Sequence, residues 1–162
     1  MIFILMVCFF ILSGITLIRS TQRPLSSQSM PNNTFNSIPF EINAIGTRIV
    51  DSAIKVHKAL GPGLLESVYE ECMAYELGRR NLSVERQMSV PIQYDCNTLK
   101  TSLQLDLLIH KSVIVELKSV EKMNPIFESQ LMTYLRLSGL RLGYLINFNV
   151  PLVKNGIKRM VM

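Results

Sequence analysis

The segment Val113-Ile114-Val115-Glu116-Leu117-Lys118-Ser119-Val120 constrains this chain more than any other. It reads as a buried β-strand, yet an acid and a base interrupt it. Side chains alternate along a strand, so Ile114, Glu116 and Lys118 share one face, while Val113, Val115 and Leu117 share the other. Burying an ion costs on the order of several kcal/mol unless it is paired or binds a metal. The preceding apolar segment has the same anomaly, with Asp106 among Leu103, Leu105, Leu107 and Leu108.

Strand parity decides whether these charges meet. If 110–112 form the connection, an odd loop sets Asp106 directly opposite Glu116 and Gln104 opposite Lys118. A two-residue hairpin without a bulge would instead put the two carboxylates on opposite faces. Carboxylates facing each other repel unless a cation lies between them, and hard oxygen ligands suit Mg²⁺ or Mn²⁺. Such a cation would polarise a phosphoryl oxygen and acidify a water. Lys118, on the same face, would orient that water and offset developing charge. The pattern D-x9-E-x-K is weak by itself, and its placement inside two apolar strands strengthens it. On the residues alone, an ordinary partly buried ion pair is an equal alternative.

The rest of the chain supplies a frame for these strands. Residues 1–18 contain no charge and are followed by Arg19 and Arg23. Three readings stand open, in this order: a start set too far upstream, with Met30 as the true first residue; a membrane anchor; and a cleaved signal. Residues 19–40, rich in Ser, Asn, Gln and Pro, read as a flexible linker. From residue 41 a folded domain runs to residue 162. Ile42, Ile45, Ile49, Ala53, Val56 and Leu60 make one apolar helix face, which Gly61-Pro62-Gly63 stops. That tripeptide is a turn and not a phosphate loop, because the P-loop lysine and hydroxyl residue are absent.

A second helix is expected from near Leu64 to about Arg80, burying Leu65, Val68, Cys72 and Leu77. Strands follow at 82–94, with Pro91 marking a bulge or an edge, at 101–109 and at 113–120. Asn124-Pro125 starts a helix that ends at about Ser138, before Gly139. Arg141–Asn147 is the last strand, and a short basic tail closes the chain. This order is an α/β sandwich around a mixed sheet. His57 and His110 have no ligand partner at metal spacing, and a helix surface and a loop explain them. Cys8, Cys72 and Cys96 show no metal spacing and fit a reducing, cytoplasmic compartment, with the last two packed as small hydrophobes.

From Met30 onward the chain has fifteen basic and twelve acidic residues, a balance of +3 that suits a polyanion partner without proving one.

Gly63-Leu64-Leu65-Glu66-Ser67-Val68-Tyr69 reads G-x-x-E-x-x-Y. With the stretches VHKALGPGLLESVYEECMAYEL, LDLLIHKSVIVELKSVEK and INFNVPLVKNGIKR, in that order, the chain resembles the GxxExxY protein family of the PD-(D/E)XK nuclease superfamily. The similarity spans residues 41 to about 160. It implies a restriction-endonuclease-like core, a central mixed sheet flanked by helices. It also implies metal-dependent hydrolysis of phosphodiester bonds in nucleic acid, DNA ahead of RNA, with Mg²⁺ or Mn²⁺ as cofactor.

By the same resemblance Asp106 and Glu116 are metal ligands, Lys118 is catalytic, and Glu66 completes or orients the metal site. Gln130 and Tyr134, four apart on a helix, resemble a Q-x-x-x-Y motif that holds the phosphate backbone. Gln104 falls, with Gln130 and Tyr134, among the implied nucleic-acid-binding residues, but it stands where relatives often have an arginine, so a binding module that keeps the fold without turnover is the alternative function. A domain with no separate recognition module is expected to dimerise or to use a protein partner. A membrane enters only if residues 1–18 are translated and retained. Tyr69 reads as core. Lys154, Lys158 and Arg159 read as a solvated end.

Overall fold

The computed structural model describes residues 37–162. The readings of residues 1–18, of Cys8, of Met30 and of most of the 19–40 segment lie outside the described residues. The folded domain begins a little earlier than its apolar periodicity suggests. Ile38 is buried in the core, its carbonyl accepts a hydrogen bond from Asn43 Nδ2 at 2.9 Å, and helix α1 starts at Phe40.

Helix α1 (Phe40–Leu60) buries Ile45, Ile49, Ala53 and Val56 along one stripe. Gly46 lies on that stripe because a side chain there would collide with the hydroxyl of Tyr144 on the sheet below. The helix ends at Gly61, whose φ of 71° suits glycine and whose N–H donates to the His57 carbonyl at 2.8 Å. Leu60 does not belong to the buried face and is 39% exposed. His57, expected on a helix surface, is buried instead. Its Nε2 lies 2.8 Å from the Val150 carbonyl and its ring stacks near Phe148.

Helix α2 (Glu66–Arg79) is shorter than expected and turned about its axis. Tyr69, Met73 and Leu77, spaced by four, are fully buried, whereas Leu65 is 74% exposed and Val68 lies at the surface. The periodicity was ambiguous because apolar residues occur on both sides of this helix. The buried tyrosine decides the facing. Its ring stacks on Phe148 at 4.3 Å, and its hydroxyl donates to the Gly61 carbonyl at 2.7 Å while accepting from Leu64 N–H at 3.1 Å.

The sheet follows: β1 (Val84–Tyr94), β2 (Asn97–Ile109) and β3 (Val113–Lys118), then helix α3 (Pro125–Ser138), β4 (Leu142–Asn147), a short 3₁₀ turn and β5 (Ile157–Val161). Spatial order equals sequence order, with β3 and β4 parallel and every other pair antiparallel. The segment read as a basic tail is therefore a fifth strand, paired from Ile157 with Ile146 to Val161 with Leu142. Its alternation was masked by Lys158 and Arg159, which are both exposed although they point to opposite faces of the edge strand. Lys158 pairs with Glu128, and Arg159 donates to Asn43 Oδ1 at 2.8 Å.

β1 is the other edge, and its register shifts between Pro91 and Gln93, where the proline predicts a bulge. Asp95 and Cys96, both at positive φ, close a tight two-residue hairpin, which leaves Cys96 exposed rather than packed. Asn124 caps α3 by accepting from Ile126 N–H at 3.0 Å, and Gly139 ends it in the left-handed conformation.

Two helical layers cover the sheet. Helices α1 and α2 pack on Leu107, Ile109, Val113, Val115 and Leu117, and α3 packs on Leu108, Ile114 and Leu145 through Leu131 and Leu135. Among the described residues no helix is long and apolar enough to cross a membrane. Because the Tyr69 hydroxyl alone ties two backbone groups of the turn before α2, Tyr69→Phe is expected to destabilise the fold by about 1–2 kcal/mol, with the ring stack kept. A thermal melt reads this as a drop of several degrees, and an unchanged midpoint would show that water replaces the hydroxyl.

Candidate metal and nucleic-acid site

Residues 110–112 form the connection between β2 and β3, with His110 and Lys111 at positive φ. The odd count has the expected consequence. Leu107 faces Val115 and Ile109 faces Val113, a register whose next step would bring Asp106 to Glu116. The ladder itself stops at Leu107. Beyond it Asp106 Oδ2 accepts from the Leu117 N–H at 2.9 Å, a carboxylate standing in for a strand carbonyl.

Gln104 consequently does not pair with Lys118. It lies opposite Ser89 on β1, and its Nε2 donates to the Gln87 carbonyl at 2.7 Å.

Lys118 ends β3, and its ammonium sits among three carboxylates: 3.6 Å from Glu116 Oε2, 3.6 Å from Glu66 Oε1 and 3.7 Å from Asp106 Oδ2. It also donates to its neighbour's carbonyl, that of Leu117, at 2.7 Å. Glu66 arrives from the other layer as the first residue of α2, where the partial positive charge of a helix N-terminus favours an acid. Four residues from three elements thus converge at the carboxyl end of β3.

The electrostatics are unbalanced. Glu116 is 3% exposed, and its Oε1 is buried with no hydrogen-bond partner. Burial first, and then the neighbouring Asp106, push its carboxyl up to about 8, against the opposing pull of Lys118. Burial also raises Glu66, with Lys118 opposing and Asp106 adding to the rise. For Lys118 burial works against the charge, but Asp106, Glu116 and Glu66 outweigh it and hold the ammonium above the usual lysine range.

Among the described residues no three acidic, histidine or cysteine side chains are drawn together as a ready metal-ligand set. The ammonium holds the middle of the carboxylates instead. The donor set nonetheless fits a hard divalent cation, being all oxygen, with one buried oxygen that no protein donor satisfies.

Gln130 Nε2 and the Tyr134 hydroxyl are joined by a short hydrogen bond on α3. Their helix reaches the site through Phe127, one turn before Gln130, whose ring lies 5.7 Å from the Lys118 ammonium. Phe127 was not singled out from the sequence, although its position three residues before Gln130 is the signal that could have found it.

Asn147 was missed as well. Buried at the end of β4, it donates through Nδ2 to the Val120 carbonyl at 2.8 Å and accepts at Oδ1 from the N–H groups of Val120 and Asn149, each at 3.1 Å. Ser119 Oγ adds a bond to the Leu64 carbonyl at 2.6 Å, tying the strand end to the turn before Glu66. A polar residue closing the apolar run Leu142–Ile146 was the visible clue to Asn147.

A groove of about 380 Å³ between α1 and α2 is lined by residues such as Val56, Leu60, Val68 and Tyr75, and none of the four site residues borders it.

Comparison with curated proteins and with solved structures returns no match. Comparison with protein-family models matches residues 43–160 to the PD-(D/E)XK nuclease superfamily, a span that runs from within α1 to within β5 and includes all four converging residues. On that match, with a mixed five-stranded sheet flanked by helices, the chain belongs to the PD-(D/E)XK nuclease superfamily.

Proposed function

We propose that this protein is a metal-dependent nuclease that hydrolyses phosphodiester bonds of nucleic acid, DNA before RNA. The observation that carries the reading is the convergence of Asp106, Glu116 and Glu66 on the Lys118 ammonium at one end of the sheet. Asp106 and Glu116 are the residues that would hold Mg²⁺ or Mn²⁺, and Glu66 completes or orients that pair. When bound, the cation supplies the Lewis acidity that polarises a phosphoryl oxygen and acidifies a water.

The chain's own residues do the rest. Lys118, whose ammonium Asp106, Glu116 and Glu66 hold above the usual lysine range, is placed to donate hydrogen bonds and offset negative charge on the phosphoryl group. Leu117 N–H holds the Asp106 carboxylate by one oxygen, which limits how that side chain can turn. Gln130 and Tyr134, on the helix that meets Lys118 through Phe127, supply polar groups for the phosphate backbone.

A second reading, a binding module with no turnover, is favoured by Gln104. Its neutral amide is bound to the Gln87 carbonyl and adds no positive charge beside Asp106. Calorimetry separates the two, because absence of Mg²⁺ binding at millimolar concentration favours the module.

The nuclease reading predicts that the purified chain cleaves DNA with Mg²⁺ or Mn²⁺, and that Glu116→Ala and Lys118→Ala each lower the rate by at least about 100-fold. Cleavage persisting unchanged in both variants would sink it.

The metal-free protein should also report the state of Glu116. Between the ordinary glutamate value of 4.5 and about 8, the folded chain keeps a proton that the unfolded chain gives up. Stability from this group therefore falls as pH rises through that window, by on the order of a few kcal/mol in total. Melting temperatures measured in chelator should decline from pH 5 to 8, and Glu116→Gln should flatten the decline. An equally steep decline in the variant would exclude Glu116 as its source.

A further inference from the structure

The site joins two layers that the chain could hold apart. Glu66 belongs to α2, whereas Asp106 belongs to β2, and a fixed distance between them needs a tie near both. Glu70, one turn after Glu66 on the same helix face, sits where such a tie would be. It is 6% exposed, and both its oxygens are used: Oε1 accepts from Arg86 Nε at 2.8 Å and Oε2 from Gln87 Nε2 at 2.6 Å.

Gln87 is placed tellingly. Arg86 pairs with Leu107 and Met88 with Leu105, so Gln87 is the residue across from Asp106, and the ladder skips that pair. Its φ is +48°, an uncommon conformation for a residue with a side chain. Its carbonyl, meanwhile, accepts from Gln104, two residues before Asp106. A local backbone distortion beside the site is thus held in place by bonds from both neighbours.

We propose that Glu70 is a positioning residue for the site, which with Arg86 and Gln87 fixes the first turn of α2, and so Glu66, against the strand pair that presents Asp106. The metal part of its test rests on the nuclease reading; the structural part does not. An ion pair that merely fastened the helix would need only Arg86. The second oxygen bonded to Gln87, at the one β1 position facing Asp106, is what a simple fastening leaves unexplained.

The test uses the full chain and four variants: Glu70→Gln, Glu66→Gln, the double variant, and Glu76→Gln. The last breaks the Lys55–Glu76 ion pair elsewhere on α2 and serves as a control. Mn²⁺ affinity is measured by calorimetry. Glu70→Gln is expected to weaken it about 10- to 100-fold, Glu76→Gln to leave it unchanged, and the double variant to bind no more weakly than Glu66→Gln alone. Additive losses in the double variant would overturn the proposal.

Amide exchange without metal gives a second readout. Glu70→Gln should speed exchange at Glu70–Met73 and at Leu105–Leu107 together, while acceleration spread evenly along α2, or none, would overturn it. If the wild type binds no Mn²⁺ at millimolar concentration, the nuclease reading fails, and the exchange pattern alone decides the role of Glu70. Should Glu70→Gln fail to fold, Gln87→Ala removes one donor from an exposed side chain and carries the same expectations.

Discussion

Three carboxylates share one end of this sheet, and a single ammonium is what lets the protein alone hold them there. Glu116 is nearly sealed from water, Asp106 reaches over from the neighbouring strand to the Leu117 N–H, and Glu66 approaches from the start of α2. Lys118 lies within 3.7 Å of an oxygen of each. One positive charge against three acids leaves a deficit, and the deficit falls on the most buried group, whose Oε1 has no donor and whose carboxyl is raised to about 8. Native proteins rarely keep such a buried orphan without a use for it. Added positive charge at this point would lower the cost of ionising all three acids at once.

Much of this centre was legible because it breaks a pattern. An acid and a base inside Val113–Val120, and an acid among leucines in the strand before, are conspicuous against apolar surroundings, and period-two alternation assigns them faces without any coordinates. Parity carried the inference further, since the count of residues in 110–112 sets a register that runs from Ile109 with Val113 to Leu107 with Val115, one step short of Asp106 and Glu116. Elsewhere the signal in the residues was weak or the cause lay in tertiary packing. Helix α2 has apolar residues on two sides, and only the stack of Tyr69 on Phe148 selects one. Strand β5 hides its alternation behind charges that an edge strand tolerates. Gln104 was paired with Lys118 on the assumption that the ladder continues, but the Asp106 carboxylate takes the Leu117 N–H and ends it.

The residues Gly63, Glu66 and Tyr69 make one device out of a seven-residue stretch. Gly63 turns the chain at φ +95°, a value that strains any other residue. Tyr69, buried in the core, bonds back to Gly61 and Leu64 and so holds the turn from below. Ser119 bonds to the Leu64 carbonyl from the strand end beside Lys118. Glu66, at the helix start between these anchors, therefore has its backbone fixed relative to β3 before any side-chain charge is considered. Sequence spacing alone shows three residues; the hydrogen bonds show why the glycine and the tyrosine accompany the acid.

The same logic separates the fold's stability from its chemistry. The large apolar contacts, such as Ile49, Met73, Leu117 and Ile146, lie in the layer between the sheet and α1 and α2, and they would pack equally well with the site neutralised. The carboxyl end of β3 is built differently, from polar side chains bonded to backbone: Asp106 to Leu117, Asn147 to Val120, Ser119 to Leu64. Each such bond replaces a ladder or turn bond that an apolar residue could not supply, and each constrains a group within a residue or two of Lys118. A strand end finished in this way is stiff without being filled. It keeps four charged side chains close together without an apolar side chain among them.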